Sequence, residues 1–116
     1  MPGVSRWNEV TISRVDERTV RIVVAGAKSY RRTHVDLGMA HAQTREATRV
    51  WELLLAFCEG YGYLQTRRFG GVQATKKLVS RLRSDLRTAF GLAGDPFHPW
   101  RRSEGWRTRF VAKPDA

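Results

Sequence analysis

The spacing of apolar residues changes period along this chain. In 9–13 (EVTIS), Val10 and Ile12 fall on one side, and in 19–25 (TVRIVVA) Val20, Ile22 and Val24 do. A repeat of two is the signature of half-buried strands. Asp16-Glu17-Arg18 reads as the turn that joins them into a hairpin, and Ala25-Gly26-Ala27 as a second turn. The stretch 28–35 (KSYRRTHV) reads as a third strand, extendable to Leu37. Its register stays open, because Tyr30 and Val35 point to opposite faces. From Thr44 to Gly60 the period becomes helical through Ala47, Val50, Trp51, Leu54, Leu55 and Cys58, with Phe57 at the margin. Thr44 is the expected N-cap, Glu46 the first-turn acid, and Gly60 with Gly62 the stop.

Tyr63-Leu64 reads as a brief strand or one helical turn, and Gly70-Gly71 as a break. The stretch 73–90 (QATKKLVSRLRSDLRTAF) then carries Leu78, Leu82, Leu86 and Phe90 four residues apart, with Val79 and Ala89 beside them. That spacing predicts a helix with one apolar stripe. Its opposite side carries Gln73, Lys77, Ser80, Ser84, Arg87 and Thr88, flanked by Lys76, Arg81 and Arg83. Asp85 is the only carboxylate in this stretch. Two readings stand at this point: a solvated basic face, or a face shaped for phosphates, with long cations beside short hydroxyls that permit close approach. Beyond the Gly94-Asp95-Pro96 loop, 97–102 and 106–112 read as two short strands around a Ser103-Glu104-Gly105 turn. Trp100, Trp106 and Phe110 are expected to pin that hairpin to the core. Residues 1–8, with Trp7 available to pack on the sheet, and 113–116 read as flexible ends of one domain spanning 1–116.

Charge sharpens this picture. The 116 residues carry a net charge of +10, with hydrophobic content of 41%, which suits one modest globular core and a polyanionic partner. Residues 1–60 hold nine Lys/Arg and seven Asp/Glu, whereas 61–116 hold twelve and four, so the excess sits in the second half. Arg outnumbers Lys 17 to 4, and Arg suits bidentate contacts with phosphate or guanine. Cys58 is the single cysteine; on an apolar helical face it reads as core. There is no signal-peptide pattern or long apolar span, so a cytoplasmic, nucleoid-associated protein without membrane contact is the expectation.

Enzyme chemistry finds little purchase. His34, His41 and His98 lack HxH, HExxH or CxxC spacing, and His41 near Asp36 reads as solvated or as a loop pair. Gly70-Gly71 lacks the Lys-Ser/Thr of a P-loop. No catalytic residue, metal or cofactor is expected.

The run Val79-Ser80-Arg81-Leu82-Arg83-Ser84-Asp85-Leu86, followed by Glu104-Gly105-Trp106-Arg107-Thr108-Arg109-Phe110, resembles the end of the OmpR/PhoB-type winged helix-turn-helix effector domain. That family closes with a helix of the form I-S-x-L-R-x-K-L and a hairpin ending in G-x-G-Y-R-L. The order of elements is similar over about 9–112, and the residue-by-residue likeness runs from Leu78 to Phe110. The resemblance implies an α+β winged helix-turn-helix, with an N-terminal antiparallel sheet, a helical core and a C-terminal β-hairpin wing; as a departure from the two-component members of that family, no receiver domain is expected. It also implies that 73–90 reads the major groove while 97–112 touches the backbone or minor groove. By position, Lys76, Lys77, Ser80, Arg81, Ser84 and Arg87 fall to the helix and Arg101, Arg102 and Arg107 to the wing. Arg67 and Arg68 read equally as phosphate clamps and as solvated loop cations. Two further departures stand out: little room for the middle helix between Gly62 and Gly71, and Asp85 where the family carries a cation.

The expected function is therefore a bacterial or phage transcription regulator that binds double-stranded DNA. A second reading is a protein-interaction module acting on RNA polymerase through Glu46, Glu52 and Glu59, or through the sheet. A third is nonspecific coating of DNA or RNA. A homodimer is compatible with DNA reading, but no heptad marks its interface.

Overall fold

The computed structural model describes residues 6–24, 28–64 and 66–115. Three strands open the chain: β1 (Val10–Arg14), β2 (Thr19–Val24) and β3 (Lys28–Thr33). They pair antiparallel as expected, with Ile12 opposite Ile22 and Ile22 opposite Tyr30. The expected turn at 16–18 is present: Asp16 accepts a bond from the Arg18 N–H at 2.8 Å. The expected turn at 25–27 lies outside the described residues. Tyr30 therefore shares a face with Val20, Ile22 and Val24, while Val35 lies beyond the strand and is exposed.

The first helix, α1 (Arg49–Glu59), starts later than its apolar period suggests. Residues 40 and 47 form an isolated bridge, and the Thr48 hydroxyl donates to the Met39 carbonyl, so the chain before Arg49 is committed to a loop. Thr44 and Glu46 stay in that loop, and the N-cap is Thr48. Leu53 and Phe57, absent from the stripe or marginal to it, are both fully buried. The reason is that α1 lies between β1 and β6 on one side and α2 on another, so little of its circumference faces water. Only its charged residues Arg49, Glu52 and Glu59 are exposed.

The end of α1 departs from the glycine-stop expectation. Gly60 has a φ of −93°, and the left-handed position falls on Tyr61 at 55°. The Gly62 N–H bonds to the Phe57 carbonyl and the Tyr61 N–H to Cys58, which is the Schellman pattern with a tyrosine where glycine is usual. Both glycines are held by other demands. A Cβ on Gly60 would sit 2.3 Å from the Tyr63 carbonyl oxygen, and Gly62 has a φ of 90° with the Thr108 hydroxyl 2.7 Å from any Cβ.

β4 (Tyr63–Leu64) and a 3-10 turn (Thr66–Phe69) fill the space before α2 (Val72–Phe90). β5 (Trp106–Arg107) pairs with β4, and β6 (Val111–Pro114) runs parallel to β1. The larger sheet therefore has the order β3-β2-β1-β6 and is mixed.

This overturns the winged helix-turn-helix expectation. There are two α-helices among the described residues, not the three typical of that fold. The interval from Gly62 to Gly71 gives its first residues to β4 and four to a 3-10 turn, which leaves no length for a middle helix. The C-terminal hairpin forms only in part. The chain reverses before Gly105, with bridges at Phe97–Thr108 and Arg101–Gly105 and backbone bonds from the His98 N–H to the Arg107 carbonyl and from the Arg109 N–H to the Pro96 carbonyl, but residues 111–114 leave it for the larger sheet. The chain then bends, with the Thr108 hydroxyl donating to the Phe110 carbonyl at 2.7 Å, and delivers Ala112 to the core beside Ile12. Trp106 and Phe110 are buried as expected, but Trp100 is 38% exposed. Trp7 is buried against Phe90, ring centroids 5.3 Å apart, rather than on the sheet. Of the end at 113–116, expected to be loose, Lys113 and Pro114 lie in β6 and the Asp115 N–H bonds to the Arg14 carbonyl, while residue 116 lies outside the described residues.

Candidate nucleic-acid interface

α2 is the best-formed candidate. Gly71, with φ 96°, turns the chain into it, and Gly91, at φ 67°, ends it. Thr75, Val79, Leu82, Leu86 and Phe90 form its buried face, so the register of the helix is fixed by removal of that stripe from water. The opposite face is open: Gln73, Lys76, Lys77, Ser80, Arg81, Ser84 and Thr88 are all exposed. Lys76 and Lys77 have no carboxylate within ion-pairing distance among the described residues. The first turn holds no acid and has no side-chain cap, so the positive end of the helix dipole is uncompensated there. The 3-10 turn packs beside α2 and brings the exposed Arg67 to the same end of the structure.

Not every predicted cation is free. Arg81 lies 3.8 Å from Asp85 one turn on. Burial pushes the Asp85 carboxyl above its ordinary value, against the pull of Arg81. Arg87 is half-buried and donates from Nε to the Gly94 carbonyl at 3.1 Å. Arg83 reaches the same loop, donating to Asp95 at 3.0 Å, with its guanidinium 5.8 Å from the Phe97 ring centroid. Burial of Asp95 raises its proton affinity, but the Phe97 N–H, Arg83 and the charge of Arg87 outweigh it and hold the carboxyl below its ordinary value. Arg83 and Arg87 thus fasten the 94–97 loop to the helix. Arg68 pairs with Glu59 at 3.3 Å, and Glu59 also meets Arg14 at 3.5 Å.

The C-terminal cations follow the 94–97 loop. Arg101 and Arg102 are exposed on the turn that ends at Gly105. Arg107 is half-buried, 3.9 Å from Glu104, and its guanidinium lies 5.7 Å from the Tyr63 ring centroid. His98 is held below its ordinary pKa, first by burial and then by Arg107, Arg109 and Arg101, with Glu104 opposing.

The other chemistry considered from the sequence is not assembled. Among the described residues, no three His, Cys, Asp or Glu are grouped as metal ligands. Asp36 bonds to the Thr33 N–H and hydroxyl rather than to His41. The Cys58 thiol is pushed up to about 12, chiefly by burial, and donates to the Ile12 carbonyl, so it is an inert core group. Of the three carboxylates considered as a contact surface, Glu46 precedes α1, Glu52 pairs with Arg49 at 2.8 Å, and Glu59 pairs with Arg68 and Arg14. Sequence reasoning missed the exposed Tyr61 and Tyr63; the alternation Gly60-Tyr61-Gly62-Tyr63 was their visible signal. Among the described residues, no helix is long and apolar enough to cross a membrane. In comparison with known proteins, no family model, no curated protein and no solved structure matches this chain.

Proposed function

We propose that the protein binds double-stranded DNA through the open face of α2. The observation that carries this reading is a helix fixed on one side by Val79, Leu82 and Leu86 while Lys76, Lys77, Ser80, Arg81 and Ser84 on the other side are exposed. A helix fits the major groove of B-form DNA. Lys76, Lys77 and Arg67 supply the phosphate contacts, Ser80 and Ser84 allow close approach, and Arg81 reaches base edges. Arg87 and Arg83 act from behind, since their guanidinium groups hold the adjoining loop. A regulatory role in transcription follows if binding discriminates between sequences.

The test is a fluorescence-anisotropy titration with duplex DNA over a range of salt, on the wild type and on Lys76→Ala/Lys77→Ala. With each cation neutralising one phosphate, the double variant should flatten the slope of log K against log salt by about 1.8, from about 0.9 per phosphate. Arg81→Ala should cost about 1–3 kcal/mol on a preferred site and relax preference at one base position. An unchanged slope in the double variant would sink the proposal.

A further inference from the structure

Tyr61 and Tyr63 are 68% and 53% exposed, although Tyr61 occupies the left-handed backbone position that a smaller residue adopts at less cost. Both rings stand outside the buried core. Both rings border a groove of about 430 Å³, whose other walls include His98, Arg107, Arg109 and Lys113. Among the described residues, no Asp or Glu lines that groove. Tyr63 and Arg107 are direct cross-strand partners in the β4–β5 pair, and the guanidinium is held 5.7 Å from the ring centroid. On its other side Tyr63 borders a second hollow that contains Arg67 and Arg68, along with Glu59, which is already paired to Arg68. The aromatic rings are thus interleaved with cations from both flanks.

We propose that this groove binds single-stranded nucleic acid, with Tyr61 and Tyr63 as stacking surfaces for unpaired bases and Arg107, Arg109 and Lys113 as contacts to the phosphates. Stacking on a side chain needs a base whose face is uncovered, which a duplex does not offer and a single strand does. Arg109 spends its Nε on the Phe97 carbonyl at 3.1 Å, which leaves its terminal nitrogens for phosphate. Arg107 faces Glu104 at 3.9 Å, a distance that a phosphate oxygen can outcompete. Burial first, and then the charges of Arg107, Arg109 and Arg101 at the same wall, favour the neutral state of His98. Arg67 stands between the second hollow and the start of α2, whereas the cations that line the groove itself, Arg107, Arg109 and Lys113, do not belong to the α2 face.

The experiment is an anisotropy titration of labelled short oligothymidylate and oligouridylate at low salt, beside the duplex used for α2. Tyr63→Ala should weaken both single strands by about 5- to 150-fold, from stacking of about 1–3 kcal/mol per base, while Tyr63→Phe keeps wild-type affinity. Tyr61→Gly should weaken them too, yet raise the melting temperature, which separates loss of stacking from loss of fold. Neither tyrosine variant should change duplex affinity, and Lys76→Ala/Lys77→Ala should change duplex affinity alone. Preference for oligouridylate over oligothymidylate would identify RNA as the natural strand, and the reverse DNA. The inference is overturned if the wild type fails to bind either oligomer, if Tyr63→Ala binds as the wild type does, or if Tyr63→Phe is as weak as Tyr63→Ala.

Discussion

Asp85 is the residue whose charge opposes the proposed task of its own helix. Its side chain is 19% exposed and sits 3.8 Å from Arg81, and burial raises its proton affinity. A carboxyl whose folded-state pKa lies above the unfolded one makes ionisation unfavourable to folding. Its charge therefore costs stability at pH 7, and the exposed pair with Arg81 returns little. Asp85→Asn should leave the melting temperature at pH 7 unchanged or higher. The same change removes an anion from a surface proposed to meet phosphates, and duplex affinity should rise roughly fivefold at low salt, from about 1 kcal/mol for a unit charge at close range in water. Anisotropy and thermal melting of one variant check both. A fall in affinity would mean that Asp85 positions Arg81 rather than restrains it. The composition of this face was legible before any coordinates, because helical period and charge are local properties of 73–90. The engagement of Arg83 and Arg87 was not, since it depends on where the loop at Gly94 and Asp95 returns.

Among the elements, α2 and the loop behind it behave as a latched pair. Asp95 accepts from Arg83 and from the Phe97 N–H, both at 3.0 Å, while Arg87 holds Gly94. Because Asp95 is held below its ordinary value of 3.8, its contribution to stability is complete above that value. It fades as pH falls through the lower folded-state pKa. Asp95→Asn should therefore melt a few degrees below the wild type at pH 7, and the gap should close as pH falls below about 3.8. Melting curves at several pH values decide it; a gap that persists in acid would assign the loss to geometry rather than charge. Element by element, β1, β2 and α2 were readable from period alone. The start of α1 was not, because Ala47 and the Thr48 hydroxyl are taken by a bridge and a bond to the 39–40 segment. Nor was the fate of the last strands. The residues 106–112 alternate as one strand would, yet β5 and β6 join different sheets, a choice made by tertiary partners.

On the scale of the whole molecule, β6 decides the shape of the sheet. It adds to β1 in parallel, with Ile12 opposite Ala112, and makes the first strand an interior one. Truncation after Phe110 should turn β1 into an exposed edge and uncover Cys58, Ile12 and Val10, all now fully buried. Such a fragment is expected to form larger species on size-exclusion chromatography, while the full chain elutes as a discrete species. A truncated chain that remains discrete and melts cooperatively would show that β6 is dispensable. The alternation of the first strands could not reveal this, because a strand's neighbours are not written in its own period. The β1–β6 pairing also has a bearing on biosynthesis. β1 leaves the ribosome before its partner β6 is made, so the nascent chain carries an unfinished hydrophobic layer until residues 111–114 emerge.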